Sequence, residues 1–232
     1  MIEVFKEEGF FLTPQEEKKF YRYLELILSA PFNITSISLR DPKAIAYRHF
    51  IDSIQIVKFL DLSSLNSLLD VGTGGGFPGI PIKILKPHLE LLLLESVEKK
   101  ISFLKEVVLE LSLPNVKILL GRAEELGRQK QFRESVDIVV SRAVASLNVL
   151  LELTIPFLKI GGLLVAYKGK RVFEEIDEAQ NALNLLNCEL EKVEEYYIKA
   201  IDFKGYLVFI RKRGETPAKY PRKTGIPFKR PL

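Results

Sequence analysis

The sequence predicts an α/β fold, a parallel sheet with helices on both faces, preceded by a small helical segment. Three observations predict it. Short apolar runs with little polar alternation recur from residue 66 onward, the pattern of strands buried on both sides. Stretches of helical spacing separate them, so successive strands are joined by βαβ crossovers. The first strand runs directly into a cluster of glycines, and a helix starts immediately after it.

Each element has a local reason. Thr13 can cap a helix with Pro14 at its first position, and Glu16 completes a capping box. Phe20, Tyr23, Leu24, Ile27 and Leu28 follow at helical spacing, and Pro31 ends the run. Asn33 to Ile37 reads as a loop. Asp41-Pro42 opens a second helix that reaches about Leu60. Ser67–Val71 is the first strand, and Leu89–Glu95, Val116–Leu120, Val136–Val140 and Leu163–Tyr167 are the next four. Helices are expected near 79–86, 97–111, 123–130 and 146–158, with a late one near 171–187. Strands near 189–200 and at Tyr206–Arg211 complete the pattern. The chain thus divides into an N-terminal helical extension (1–62), a Rossmann-like domain (63–213) and a C-terminal tail (214–232). The tail sets Pro217, Pro221, Pro227 and Pro231 among lysines and arginines. That composition predicts an arm that orders only on meeting a partner.

Composition narrows the function classes. A chain of 232 residues buries a substantial core without cross-links. The single cysteine, Cys188, excludes an intramolecular disulfide and suggests a cytoplasmic setting. Only His49, His88 and Cys188 could offer soft metal ligands, and no two are close in sequence, so no metal site is expected. No apolar run approaches the ~20 residues of a membrane span. The acidic start, with Glu3, Glu7 and Glu8, is unlike a signal peptide. A protein neither secreted nor membrane-inserted is expected, with a monomer as the default. Net charge is +4, yet eight Lys/Arg face one acid between Arg211 and Leu232. The cationic excess sits at one end and points to a polyanionic partner.

The segment Leu69-Asp70-Val71-Gly72-Thr73-Gly74-Gly75-Gly76-Phe77-Pro78-Gly79 carries the chemistry. Glycine permits positive φ and lets a ligand touch the backbone. The helix that follows offers free N–H groups. Two cofactors compete for this geometry. Gly74 to Gly79 fits the dinucleotide fingerprint G-x-G-x-x-G, which is weak on its own. Asp70-x-Gly72-x-Gly74-x-Gly76 is the pattern of enzymes that use S-adenosylmethionine. The acid discriminates: it repels a pyrophosphate and suits a cationic amino-acid end. S-adenosylmethionine is favoured.

Four further residues lie at strand ends, where open α/β sheets bind ligands. Glu95 closes the second strand and can accept hydrogen bonds from ribose hydroxyls; otherwise it is a solvated terminus. Ala123 and Glu124 follow the third strand, where a backbone N–H and a carboxylate could read an adenine edge; otherwise they form a capped helix start. Arg142 ends the fourth strand. It could bind a substrate phosphate, a cofactor edge or an acid of the protein itself.

These residues, with Ser141-Arg142-Ala143, Lys168-Gly169, Asn33-Ile34-Thr35, Arg40-Asp41-Pro42 and His49-Phe50-Ile51-Asp52-Ser53, closely resemble the glucose-inhibited division protein B family, also called RsmG. The resemblance covers roughly residues 15–212, and the Gly-Phe-Pro-Gly-Ile-Pro run and Ser-Arg-Ala make it specific. It implies an S-adenosylmethionine-dependent methyltransferase acting on N7 of a guanine in small-subunit (16S) ribosomal RNA. It implies cofactor contacts at Gly72, Phe77, Ala123, Glu124 and Arg142, beside the Asp70, Gly74, Gly76 and Glu95 of the residue-level reading. Arg40, His49, Arg142 and Lys168 are then expected to form an RNA-facing rim, with His49 more structural than catalytic. The tail lies outside the pattern; its charges suggest phosphate binding, and Tyr220 and Phe228 could stack on bases.

Guanine N7 is already a lone-pair nucleophile, so this chemistry requires no general base, and no catalytic acid or base is assigned. Cys188 lies in a late apolar stretch, which disfavours a covalent cysteine mechanism. Other classes stay open on the cofactor motif alone. They are a methyltransferase for a small molecule or protein, an RNA-binding module that retains the pocket, and a dinucleotide oxidoreductase.

Overall fold

The computed structural model describes residues 1–30 and 41–232. Asn33, Thr35 and Arg40 lie outside the described residues. Helix α1 (Ile2–Glu7) is too short for a periodicity argument to detect. In α2 (Pro14–Ser29) the capping box forms as expected: the Thr13 side chain accepts from the Glu16 N–H, and Glu16 accepts from the Thr13 N–H at 2.7 Å.

The helix expected from Asp41 to Leu60 is broken into four pieces. These are α3 (Pro42–Ile45), a π-helical stretch (Ala46–Ile51), α4 (Asp52–Ile54) and a 3-10 turn (Gln55–Lys58). Tertiary contacts override local propensity here. The Arg48 carbonyl accepts from an arginine of the sheet, and Ile45, Phe50, Ile51, Ile54 and Ile56 are all buried at once. No single helical stripe presents that set.

The alternating region follows: β1 (Ser67–Val71), α5 (Gly79–Leu85), β2 (Glu90–Glu95), α6 (Glu98–Glu110), β3 (Val116–Leu120), α7 (Ala123–Leu126) and β4 (Val136–Arg142). Then come α8 (Leu147–Thr154), β5 (Leu158–Lys168), α9 (Val172–Glu178), α10 (Gln180–Leu185), β6 (Cys188–Ile198), β7 (Phe203–Lys212) and α11 (Ile226–Lys229). The sheet order is β3-β2-β1-β4-β5-β7-β6. The first five strands are parallel, but β7 runs antiparallel between β5 and β6, so the sheet is mixed. Only a short turn joins β6 to β7, which permits a hairpin and no crossover.

Alternate residues along each strand face opposite cores. Leu68, Leu91, Leu93, Ile138, Val140 and Val165 join α1 to α6 on one face. Leu69, Val71, Leu92, Leu94, Val139 and Leu164 join α7 to α10 on the other. Order reverses between β1 and β4, and the crevice at such a reversal is where open sheets bind ligands.

The tail is a correction to the sequence reading. It is packed, not a free arm. Arg222 grips the fully buried Glu152 of α8 through Nε and Nη2, at 2.5–3.0 Å. Arg133 donates to the carbonyls of Thr216, Pro217 and Tyr220. Composition disfavours a packed element, but specific charge partners on the domain supply what the tail's own sequence lacks.

Candidate functional site

The glycine loop is held from beneath. Asp70 is fully buried at the end of β1, and its Oδ2 accepts from Thr73 Oγ1 at 2.6 Å and from the Gly79 N–H at 2.8 Å. Through Oδ2 the side chain pins both ends of the loop from beneath. Burial pushes its carboxyl up to about 7. The Tyr23 hydroxyl donates to the Gly75 carbonyl at 2.5 Å, tying α2 to the same loop. At Gly76, φ is +102° and a Cβ would lie 2.6 Å from that hydroxyl, so only glycine fits. Phe77 is buried, with Tyr23 stacked on its ring at 5.3 Å and His49 at 4.8 Å.

Across the crevice, Glu95 ends β2 and is almost wholly buried. It accepts from the N–H groups of Gly74, Ser96 and Val97 at 2.8–3.0 Å, with Lys100 at 3.5 Å. Ala123 and Glu124 begin α7 and are buried. Glu124 Oε1 accepts from the Gly225 N–H of the tail at 3.0 Å, so its carboxylate already has a partner within the chain. The Gly72 N–H donates to the Leu94 carbonyl at 2.9 Å.

A cleft of about 360 Å³ opens at the C-terminal ends of β4 and β5, lined in part by His49, Asp52, Arg142, Tyr167, Lys168 and Tyr196. Arg142 organises it. Its guanidinium donates to Asp52 Oδ2 at 2.6 Å and to the Arg48 carbonyl at 3.2 Å, and lies 5.3 Å from the Phe77 ring centre. Another of its nitrogens is 3.1 Å from His49 Nδ1. Arginine has no acceptor, so Nδ1 is the acceptor and the proton of the neutral ring is on Nε2. Burial, then the charges of Arg142 and Arg48, push the His49 imidazole down to about 3. Its Nε2 is buried without a hydrogen-bond partner. Tyr196 holds the other Asp52 oxygen at 2.5 Å. Lys168 is nearly buried, bound to Glu175 at 2.6 Å and to the Ala145 carbonyl at 2.7 Å.

The loop offers a cradle that fits S-adenosylmethionine. At Gly74, φ is +61° and no atom lies within 4 Å of where a Cβ would stand. Asp70 Oδ1 is buried without a partner, and the Glu95 carboxylate stands across from Gly74.

The profile of rRNA small subunit methyltransferase G matches residues 16–204. The chain belongs to that family. A ribosomal RNA small subunit methyltransferase G of Clostridium kluyveri is 45% identical over 234 aligned positions, covering 100% of this chain and 97% of the relative. That of Clostridium tetani is 46% identical over 213 positions, covering 92% and 89%. Among solved structures, a SAM-dependent methyltransferase from Aquifex aeolicus aligns with TM-score 0.54 at 20% identity, covering 73% of this chain and 93% of that one. Aeropyrum pernix fibrillarin, with natively bound S-adenosyl-L-methionine, aligns at 0.53 and 16% identity, covering 71% and 75%. These structural likenesses establish the fold. The methyltransferase G family modifies small-subunit ribosomal RNA with S-adenosylmethionine, and this chain is a methyltransferase of that kind.

Within this member of the methyltransferase G family, folding brings Arg142, His49 and Phe77 into one cluster and sets Lys168 on the same cleft. Arg142 and Lys168 are both engaged by acids, so neither is a bare cation. Sequence reasoning missed Arg48, Tyr167, Tyr196 and Glu175 as cleft residues. Asp52 entered it only as part of the family-matching run from His49 to Ser53. The tyrosines sit within apolar or mixed strand sequence, and Glu175 lies on a helix with further acids, so nothing local distinguishes them. Arg48 adjoins His49 and is exposed at the rim, and that adjacency was the one available signal.

Proposed function

We propose that this chain transfers the methyl group of S-adenosylmethionine to N7 of a guanine in small-subunit ribosomal RNA. The observation that carries this reading is the cleft at the carboxyl ends of β4 and β5, which Arg142 and His49 join to the glycine loop through the Phe77 ring, with a neutral histidine and two paired cations around it. When bound, the cofactor supplies an electrophilic methyl group.

The chain's own residues then do three things. Gly72, Gly74 and Gly76 form a backbone cradle, with Asp70 fixing its shape. Glu95, Phe77, Ala123, Glu124 and Arg142 bound it. His49, fixed by Arg142 at Nδ1, keeps a neutral ring against Phe77 at the wall of the cleft. The base keeps its own lone pair for the attack, so no side chain has to remove a proton first. Methylated guanine gains positive charge, and Asp52 and Glu175 offset the charges of Arg142 and Lys168 in the cleft. Rate enhancement then rests on in-line placement, which supplies up to about 7–11 kcal/mol in favourable cases. His49, Arg142 and Lys168, with Arg48 beside them, form the RNA-facing rim.

We take the protein to work as a cytoplasmic monomer, with residues 1–62, 63–213 and 214–232 as its three parts. No described helix is long and apolar enough to cross a membrane. The test is a transfer assay with labelled S-adenosylmethionine on unmethylated small-subunit RNA and on intact subunits, followed by nucleoside mass mapping. One 7-methylguanosine is expected. Label on another atom, or none in either substrate despite cofactor binding, would overturn the reading.

A further inference from the structure

The cations from Arg211 to the end of the chain, in the last strand and the tail, fall into two sets. Lys212 is fully buried, bonded to Glu134 at 2.7 Å and to the Leu158 carbonyl at 2.8 Å, so it anchors the tail at the amino-terminal edge of the sheet. Arg211 pairs with Glu191, Arg213 with Glu189 and Arg222 with Glu152. These are fastenings. Lys219, Lys223, Lys229 and Arg230 are exposed, and among the described residues none forms an ion pair with a carboxylate.

The path of the tail gives the second set a location. From the Lys212 anchor the chain crosses α8 and ends against α7. There the Thr224 hydroxyl donates to Glu125 at 3.0 Å and the Gly225 N–H to Glu124. The α7 start lies at the rim of the cofactor crevice. The following turn, α11, packs on α8, and the Arg230 carbonyl accepts from Arg222 at 2.8 Å, so the far end is also tied down. Phe228 projects from this turn and is 51% exposed, between Gly225 and Lys229. Tyr220, the other aromatic of the tail, is buried and unavailable for stacking.

We infer that the packed tail is a prebuilt docking surface for single-stranded substrate RNA, with Phe228 as a stacking platform and Lys223, Lys229 and Arg230 as phosphate contacts. The inference rests on the proposed RNA substrate. Cations fixed on a packed turn around an exposed aromatic ring match what a single strand offers, phosphates at intervals and π faces between them. An ordinary solvated tail would not need Arg222 fastened to a fully buried acid of the domain. Because the surface is already ordered, contact with RNA requires no folding of an arm.

The experiment compares the full chain with the triple variant K223E/K229E/R230E and with Phe228→Ala. Direct binding to a small-subunit RNA fragment is measured across a salt series, separately from methyl transfer. All four side chains are exposed, so the unfolding temperature and cofactor affinity should stay close to those of the parent. The triple variant should bind RNA roughly ten- to a hundredfold more weakly near physiological salt, with a salt slope shallower by about 2–3. Phe228→Ala should lose roughly fivefold or more with the slope unchanged. Unchanged binding and slope in the triple variant would overturn the inference. So would normal binding to RNA but weakened binding to intact subunits, which would identify an acidic protein surface as the occupant. Because binding is read apart from turnover, a parent chain that binds RNA but never methylates it would sink the proposed function and leave this surface standing.

Discussion

Asp70 carries a carboxyl in a fully buried position whose folded-state pKa is about 7, above the ordinary value near 3.9. The stabilising contribution of its neutral form is therefore complete below about pH 4 and disappears as pH rises through 7. His49 works in the opposite direction. Its pKa is depressed to about 3, so its contribution is present above about pH 6.5 and is lost as pH falls towards 3. The two partly cancel between pH 4 and 7. Asp70→Asn removes the first and leaves the second. Its stability relative to the parent should rise from pH 4 to pH 8, and its own thermal midpoint should fall steadily below pH 6.5. Superimposable pH profiles for the two proteins would refute this account of Asp70. Arg142 is the other decisive residue. Arg142→Ala leaves Asp52 buried without its cation and frees His49 from its donor, which costs about 3–5 kcal/mol by the usual penalty for halving a buried pair. Methyl transfer should fall by more than the loss of folded protein explains, as judged by turnover normalised to the folded fraction. Retained turnover and cofactor affinity would remove Arg142 from the site.

Among the elements, the strands were the most legible. Leucine- and valine-rich runs of five to seven residues gave β1 to β4 nearly to the residue: β1, β2 and β4 are covered on both faces and tolerate little else, and the half-exposed edge strand β3 keeps the same apolar run. Helices were less legible wherever tertiary partners shaped them. The stretch from Pro42 to Lys58 bends through π and 3-10 turns to bring Arg48, His49 and Asp52 to β4, and the late helix is split between Glu178 and Gln180. The tail was misread because its anchors, Glu134 and Glu152, lie some 70 residues or more away in sequence. Arg222→Ala should lower stability by about 3–5 kcal/mol, since Glu152 stays fully buried and loses its counter-charge. For a chain of this size that corresponds to a fall in midpoint of roughly 6–20 °C. A double variant, Arg222→Met with Glu152→Leu, should recover much of it, because a packed apolar pair removes the stranded charge. If the single variant melts like the parent, the tail is not held by this pair.

Over the whole molecule, the N-terminal helices and the glycine loop share one core. Phe5, Phe20, Phe50, Tyr23 and Phe77 form a run of ring contacts between 4.7 and 6.1 Å that links α1 to the cofactor loop. Phe20→Ala should cost about 3–5 kcal/mol as a buried aromatic truncation. Calorimetry should still show one cooperative transition, shifted down as a unit. A separate early transition for the N-terminal helices would show that the core is not continuous.

The sequence by itself determined the strand-and-helix alternation, the glycine loop, the preference for S-adenosylmethionine and the family. These are local properties: periodicity, glycine placement and an acid at fixed spacing are written in contiguous residues. Only the tertiary structure decided that Asp70 braces the loop from below, that Arg142 and Lys168 are neutralised by Asp52 and Glu175, and that the tail is packed with Phe228 outward and Tyr220 buried. Each of these depends on which charge or ring stands opposite. Opposing groups from distant segments meet only when the sheet brings them together.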